Sequence, residues 1–426
     1  MQTASITPAD VPALQARVVR ILMLSQVFGG VGLGAGIAVG ALLAEDLFST
    51  TSLAGLPSAL FALGAAGGSM AVGRISDRSG RRVGLGVGYA TAALGAFIVV
   101  LSAVLTNPVL FVTGMVLYGV GTATNLQARY AGADLADSTN RGRSVSRVLV
   151  ATTLGAVLGP NLIDAMGAVG EAVGVPSLAG PFLLAGTAFA AAGVVLQILL
   201  RPDPLVAAKA LALKPATGTT ARPVSTSRPS WSMRQGTLAF GALTMVITQI
   251  VMTGIMTMTP IHMRDHGHGL GETGLVISIH IACMYLPSPI SGWLADRFGA
   301  PRTAMLSGTV LVLAGITAAS VPADGLVGLI VALALLGFGW NLGLIAGTTI
   351  VTEATPVTER ARTQGTVDLL IGLAGSAGGI SSGIMVNEAG YSTLALTGAV
   401  IAVVLVPIMF GSIRVRQSTM AGASGD

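Results

Sequence analysis

Residues 73–82 read GRISDRSGRR, and residues 292–299 read GWLADRFG. Gly73, Asp77, Arg78 and Gly80 return as Gly292, Asp296, Arg297 and Gly299, each 219 positions later. The same offset carries Asp134, Arg141 and Arg143 onto Glu353, Arg360 and Arg362. Two separate loops that obey one offset mark a duplicated unit.

Between these loops the chain is apolar. Of 426 residues, 52% are hydrophobic and only 10% charged, against about 25% charged in a soluble domain, so the chain reads as a polytopic membrane protein. Stretches of about 20 apolar residues, long enough to cross a bilayer, fall near 20–44, 53–73, 83–105, 109–130, 146–166, 179–200, 235–259, 273–294, 303–321, 325–352, 363–386 and 391–412. They predict an all-α fold of twelve transmembrane helices in two six-helix repeats. The polar interruption at 201–234 holds Pro202, Pro204, Pro215, Pro223 and Pro229 among Ser, Thr, Lys and Arg, and reads as a flexible linker. The expected plan is therefore residues 1–200, a cytoplasmic linker 201–234, and residues 235–426 carrying the distinctive chemistry.

Charge sets the orientation. With the N-terminus cytoplasmic, the inner loops hold Arg74, Arg78, Arg81, Arg82, Arg141, Arg143, Arg297, Arg302, Arg360 and Arg362, while Arg264 lies outside. Both termini are then cytoplasmic. The net charge of +5 follows from this bias and points to the bilayer, not to nucleic acid. A single cysteine excludes an intrachain disulfide. The first span lacks a small-residue cleavage site and is expected to be retained.

The stretch at 73–82, its weaker copy at 292–302 and Gly155-Ala-Val-Leu-Gly159-Pro160 resemble the major facilitator superfamily over essentially the whole length. That resemblance implies a monomeric transporter that rocks about a site between its repeats. Asp77, Arg78 and Arg81, with Asp296 and Arg297, are its expected gating-loop residues. Asp77 ends the second span, where a helix N-terminus and arginines can meet it. The glycine stripes Gly32, Gly36, Gly40 and Gly375, Gly379, Gly383 predict close helix contact.

The chemistry concentrates between Met245 and Met284. That stretch holds all four histidines (His262, His266, His268 and His280), six of sixteen methionines and the lone Cys283. Met252 and Met256 lie four apart, as do His280 and Met284, so each pair shares a helix face, with Cys283 beside His280. Thioether, imidazole and thiolate donors suit a soft ion, Cu(I) foremost. Taken alone, a methionine pair usually packs and a cysteine is often a small buried hydrophobe. An ionisable residue inside a span is a functional candidate by default, which singles out His280. With the seventh span ending near Pro260, His262, Met263, His266 and His268 fall in an outer loop that can collect an ion.

The pairs Met252-x-x-x-Met256 and His280-x-x-x-Met284, with 24 residues from Met256 to His280, resemble those of the CcoA-type copper importers. The resemblance implies Met252, Met256, His280 and Met284 as copper-binding residues. It also implies import into the bacterial cytoplasm across the inner membrane, in support of cbb3-type cytochrome oxidase assembly. Copper would be the transported substrate rather than a cofactor, with a cytoplasmic copper chaperone as partner. Cys283 and the outer histidines join this set without support from the resemblance.

No enzyme constellation is present in the sequence. A competing function, proton-coupled export of drugs or small organic solutes, needs a carboxylate inside the membrane. Asp368 and Asp164 are the candidates, near the ends of their spans. A membrane metal sensor is a third reading, which the twofold repeat disfavours. Asn125, Gln127, Asn161, Gln249 and Asn341 either line a path or bond between helices.

Overall fold

The computed structural model describes residues 7–48, 56–213, 231–322 and 325–405. Among them the regular structure is helical throughout, as the apolar periodicity predicts. The helices are α1 (Val11–Phe48), α2 (Leu56–Ser79), α3 (Arg81–Val104), α4 (Pro108–Ala131), α5 (Arg141–Asn161), α6 (Ile163–Ala172), α7 (Gly180–Leu199) and α8 (Pro204–Leu213). There follow α9 (Trp231–Asp265), α10 (Leu270–Tyr285), α11 (Ser288–Phe298), α12 (Ala300–Ser320), α13 (Leu326–Ala354) and α14 (Arg360–Val403).

Ten stretches of these helices are long and apolar enough to cross a membrane. Two further features reconcile the ten with the twelve expected spans. Gly390 has φ 84°, so α14 is two helices joined at a kink. α5 has the length of a span but carries Arg141, Arg143 and Arg147 in its first two turns. Leucine, valine and isoleucine side chains such as Leu94, Leu101, Val109, Val194 and Ile198 stay exposed, as lipid-facing helices require.

The chain divides into two compact units, residues 1–235 with 352–372, and residues 236–351 with 373–426. In the first unit α1 packs on α5 and α7, α3 on α4 and α7, and α2 on α4. The Gly155 motif earns its place here: a Cβ at this position would collide with the Val27 carbonyl of α1. The two glycine stripes contribute unevenly: a Cβ on Gly32 would meet the Phe189 ring at 2.7 Å, and one on Gly375 would meet Gln249 Nε2 at 3.1 Å. A Cβ on Gly379 or Gly383 would find ordinary contacts at 3.7 and 4.0 Å.

Three local features of the chain have identifiable causes. Within the linker, residues 204–213 form α8 because Asp203 caps it, its Oδ1 accepting from Leu205 N at 3.0 Å and Val206 N at 3.1 Å, with Pro204 at the first position. Residues 214–230 of that linker lie outside the described residues. The seventh span does not stop at Pro260 but runs to Asp265. It ends where Gly267 takes φ 84°, with Gly267 N donating to Arg264 O and His268 N to Met263 O, the paired bonds of a Schellman cap. The eighth span is two helices, α10 and α11, parted at Leu286–Pro287. Pro287 and Pro289 have no N–H to continue the ladder.

Candidate functional site

The second unit is built around α13. Packing of Met245 on Gly347 and of Thr248 on Gly343 sets α9 antiparallel to α13. One and two turns further along α9, Met252 and Met256 stand level with roughly Gly339 and Leu335 of α13. From another side α10 lies against Gly337, where a Cβ would meet His280 O at 2.5 Å and Met284 N at 3.1 Å. The four residues of the two sequence pairs therefore share one depth along α13.

His280 is fully buried. Its Nδ1 lies 2.8 Å from the Leu333 carbonyl oxygen, which can only accept, so Nδ1 carries the proton. Nε2 then presents a lone pair, and it is buried without a hydrogen-bond partner among the described residues. An imidazole held by one nitrogen with the other bare is the arrangement seen in metal-ligating histidines. Met252 and Met284 are buried, while Met256 and Cys283 are half-buried. Beneath them Asn341 bridges the break in the eighth span. Its Nδ2 donates to Met284 O and to Ser288 Oγ, both at 2.7 Å, and its Oδ1 accepts from Ser291 Oγ at 2.5 Å. The sequence offers Asn341 only as one polar residue among several. The adjoining double-proline break is the signal that would have singled it out.

The outer residues are arranged differently from a loop cluster. His262 and Met263 belong to α9, and Met263 is fully buried. His262 stacks on Tyr391, ring centroids 4.3 Å apart, and lies 4.4 Å from the His266 ring. His268 pairs instead with Glu272 at 2.8 Å, which also accepts from Gly269 N at the start of α10. Among the described residues no three His, Cys, Asp or Glu side chains form a group able to hold a metal ion.

The first unit holds the charged chemistry. Arg81 of the repeated loop is fully buried and pairs through Nε with Asp134 Oδ2 at 2.8 Å, while its Nη2 donates to Gln364. Asp77 accepts from Lys209 of α8 at 3.1 Å, not from an arginine. Arg78 and Arg297 are exposed, and Asp296 is half-buried. The second pair of repeated loops exchanges partners: Arg360 lies 3.7 Å from Asp134, and Arg141 lies 3.2 Å from Glu353. Each acid meets the arginine of the other repeat.

Asp368 lies deeper than expected, almost fully buried. Its Oδ1 accepts from Arg129 Nη2 at 2.6 Å and from the Tyr130 hydroxyl at 3.2 Å, and among the described residues Oδ2 has no hydrogen-bond partner. Arg129 and Tyr130 were not singled out from sequence, although an ionisable residue at the end of a span was signal enough. Asp164 is exposed at the start of α6. Asn125 and Gln127 serve interhelical bonds, to Gln26, Thr152 and Ser69.

A duplicated array of membrane-length helices with ion pairs buried between them defines a multi-pass membrane transporter. The chain belongs to the Major Facilitator Superfamily, whose family model matches residues 22–282 and again 241–425. It is 48% identical over 418 residues to the uncharacterized MFS-type transporter YdeG of Bacillus subtilis (strain 168), covering 97% of this chain and 96% of that one. It is 28% identical over 418 residues to the riboflavin transporter RfnT of Brucella anthropi, covering 94% and 96%. The crystal structure of the human organic anion transporter MFSD10 shares the fold, with TM-score 0.72 at 15% identity, covering 92% of this chain and 99% of that one.

Proposed function

We propose that this transporter imports copper, as Cu(I), into the cytoplasm of a bacterium by alternating access across the inner membrane. The observation that carries the reading is His280: a buried imidazole oriented by the Leu333 carbonyl, with Nε2 left bare. Met252, Met256 and Met284 at the same depth of α13 supply the thioethers that a soft ion prefers, and Cys283 lies beside them. The pattern and spacing of these residues are those that resemble the CcoA-type importers. Thioethers and a neutral imidazole leave the ion its charge, so an inside-negative membrane potential favours entry by about 2.3 kcal/mol per charge per 100 mV. His262, His266 and His268 form the outward approach, and a cytoplasmic chaperone receives the ion for oxidase assembly. The exchanged pairs Asp134–Arg360 and Arg141–Glu353, with Asp77 and Arg81, act as the inner latch. The protein works as a monomer with both termini cytoplasmic.

A second reading is proton-coupled transport of a small organic solute. It is favoured by Asp368, a buried carboxylate held by Arg129 and Tyr130, and by similarity to a protein named as a riboflavin transporter. One experiment separates the two. Cells lacking their own copper and riboflavin uptake are supplied with the protein, and accumulation of radiolabelled copper and of riboflavin is compared. Copper accumulation that disappears in His280→Ala, with the protein still in the membrane, supports the first reading. Riboflavin accumulation that disappears in Asp368→Asn with the protein still in the membrane and survives His280→Ala, with no copper accumulation in any strain, supports the second and removes the first.

A further inference from the structure

The repeated loop also builds a cavity beside the latch residue Asp77. Gly73 of α2 crosses Gly365 of α14 so closely that a Cβ on Gly73 would meet Gly365 Cα at 2.8 Å and Ala361 O at 2.9 Å. This crossing lies within the first unit. It brings Arg362, in the first turn of α14, to Arg74 and Arg78, which lie four apart on one face of α2. Together with Asp77 the three arginines line a cavity of about 280 Å³. All three are exposed, and among the described residues none has an ion-pair partner. The one carboxylate on the wall is already engaged, since Lys209 Nζ donates to Asp77 Oδ1 at 3.1 Å and to Asp77 O at 2.9 Å.

Three guanidinium groups around one space repel one another unless an anion sits among them. Guanidinium forks match the oxygens of phosphate in pairs, which an ammonium does not. The start of α14 adds the positive end of a helix dipole on the same side. The arrangement differs from the buried Arg81 and Arg360, each of which has an internal carboxylate. We propose that Arg74, Arg78 and Arg362 form a binding site for a negatively charged phosphate group. The phosphate comes either from an anionic phospholipid headgroup or from a free phosphate in solution. Occupancy neutralises the cluster and ties α2 to the start of α14.

The test uses the purified full-length protein in an uncharged detergent. It is titrated separately with phosphatidylglycerol, with phosphatidylcholine of the same chain length and with inorganic phosphate, and followed by native mass spectrometry and thermal unfolding. Wild type is expected to retain phosphatidylglycerol at least tenfold more tightly than phosphatidylcholine. The variant Arg74→Gln/Arg78→Gln/Arg362→Gln loses that preference, and Arg74→Lys/Arg78→Lys/Arg362→Lys keeps part of it. A rise in unfolding temperature with inorganic phosphate, in wild type but not in the Gln variant, without lipid preference, identifies the soluble source. Because Arg362 is exposed, Arg362→Gln alone provides a variant that keeps the fold if the triple substitution does not. A wild-type protein that shows no lipid preference and no response to phosphate overturns the proposal, as does a Gln variant that binds phosphatidylglycerol or phosphate as wild type does.

Discussion

His280 Nδ1 donates to the carbonyl oxygen of Leu333 across the α10–α13 contact at 2.8 Å. That single bond fixes which nitrogen is left to bind a metal, because a carbonyl cannot donate. It also gives the proposed copper uptake a sign with pH. A proton on Nε2 removes the ligand, so uptake falls as the medium is made more acidic. Thioethers do not titrate over this range. His280→Met should therefore keep measurable uptake and flatten its pH profile, whereas His280→Ala loses uptake at every pH. Initial uptake rates measured across a pH series check both variants.

Cys283 is the only cysteine of the chain, so its chemistry can be followed without interference. It is half-buried next to His280 on α10. Cu(I) added to the purified protein should slow alkylation of this thiol by N-ethylmaleimide, and Ca(II) should not. Met252→Ala/Met256→Ala should weaken the protection by tenfold or more in copper concentration. Mass spectrometry of the alkylated protein reads the rate directly.

Asn341 takes up the Met284 carbonyl where the eighth span breaks. Asn341→Ala leaves that carbonyl and the Ser288 and Ser291 hydroxyls unpaired in a buried place, at a cost of about 1–3 kcal/mol each for groups that find no new partner. Copper affinity should also fall about 10–100-fold, the usual effect of removing a support behind a ligand. Thermal unfolding and competition with a Cu(I) chelator separate the two effects. Asn341→Gln, if its longer amide reaches Met284 O, recovers affinity before stability.

The buried pair Arg129–Asp368, at 2.6 Å, predicts an asymmetric response. Asp368→Asn strands a guanidinium away from water and should destabilise the protein by about 3–5 kcal/mol. Replacing both partners by apolar residues, as in Arg129→Met/Asp368→Leu, should cost far less. Unfolding temperatures of the single and double variants decide the point, and riboflavin or copper accumulation in the same variants shows whether the pair also serves transport.

The fold was legible because membrane crossing demands long apolar runs and because one offset aligns two pairs of loops. The ends of spans were harder. Pro260 reads as a stop, yet a helix can pass a proline and leave one carbonyl unbonded, and the true end is set by Gly267, the residue able to adopt positive φ at low cost. That Met252 and Met256, and His280 and Met284, each share a helix face was readable from spacing four. The partner atoms were not, since Leu333 contributes only its backbone and Asn341 lies 57 residues from the Met284 it supports. Asp368 was placed near a helix end by counting residues, and its burial came from Arg129 and Tyr130, brought to it across 239 and 238 positions. Sequence distance hides such pairs.

The measurement closest to the central claim is the X-ray absorption spectrum of the full-length protein loaded with Cu(I). The account predicts sulfur neighbours from the methionines together with one imidazole nitrogen, and loss of the imidazole signature in His280→Ala. A wild-type protein that retains no Cu(I), or a spectrum that His280→Ala leaves unchanged, would contradict it.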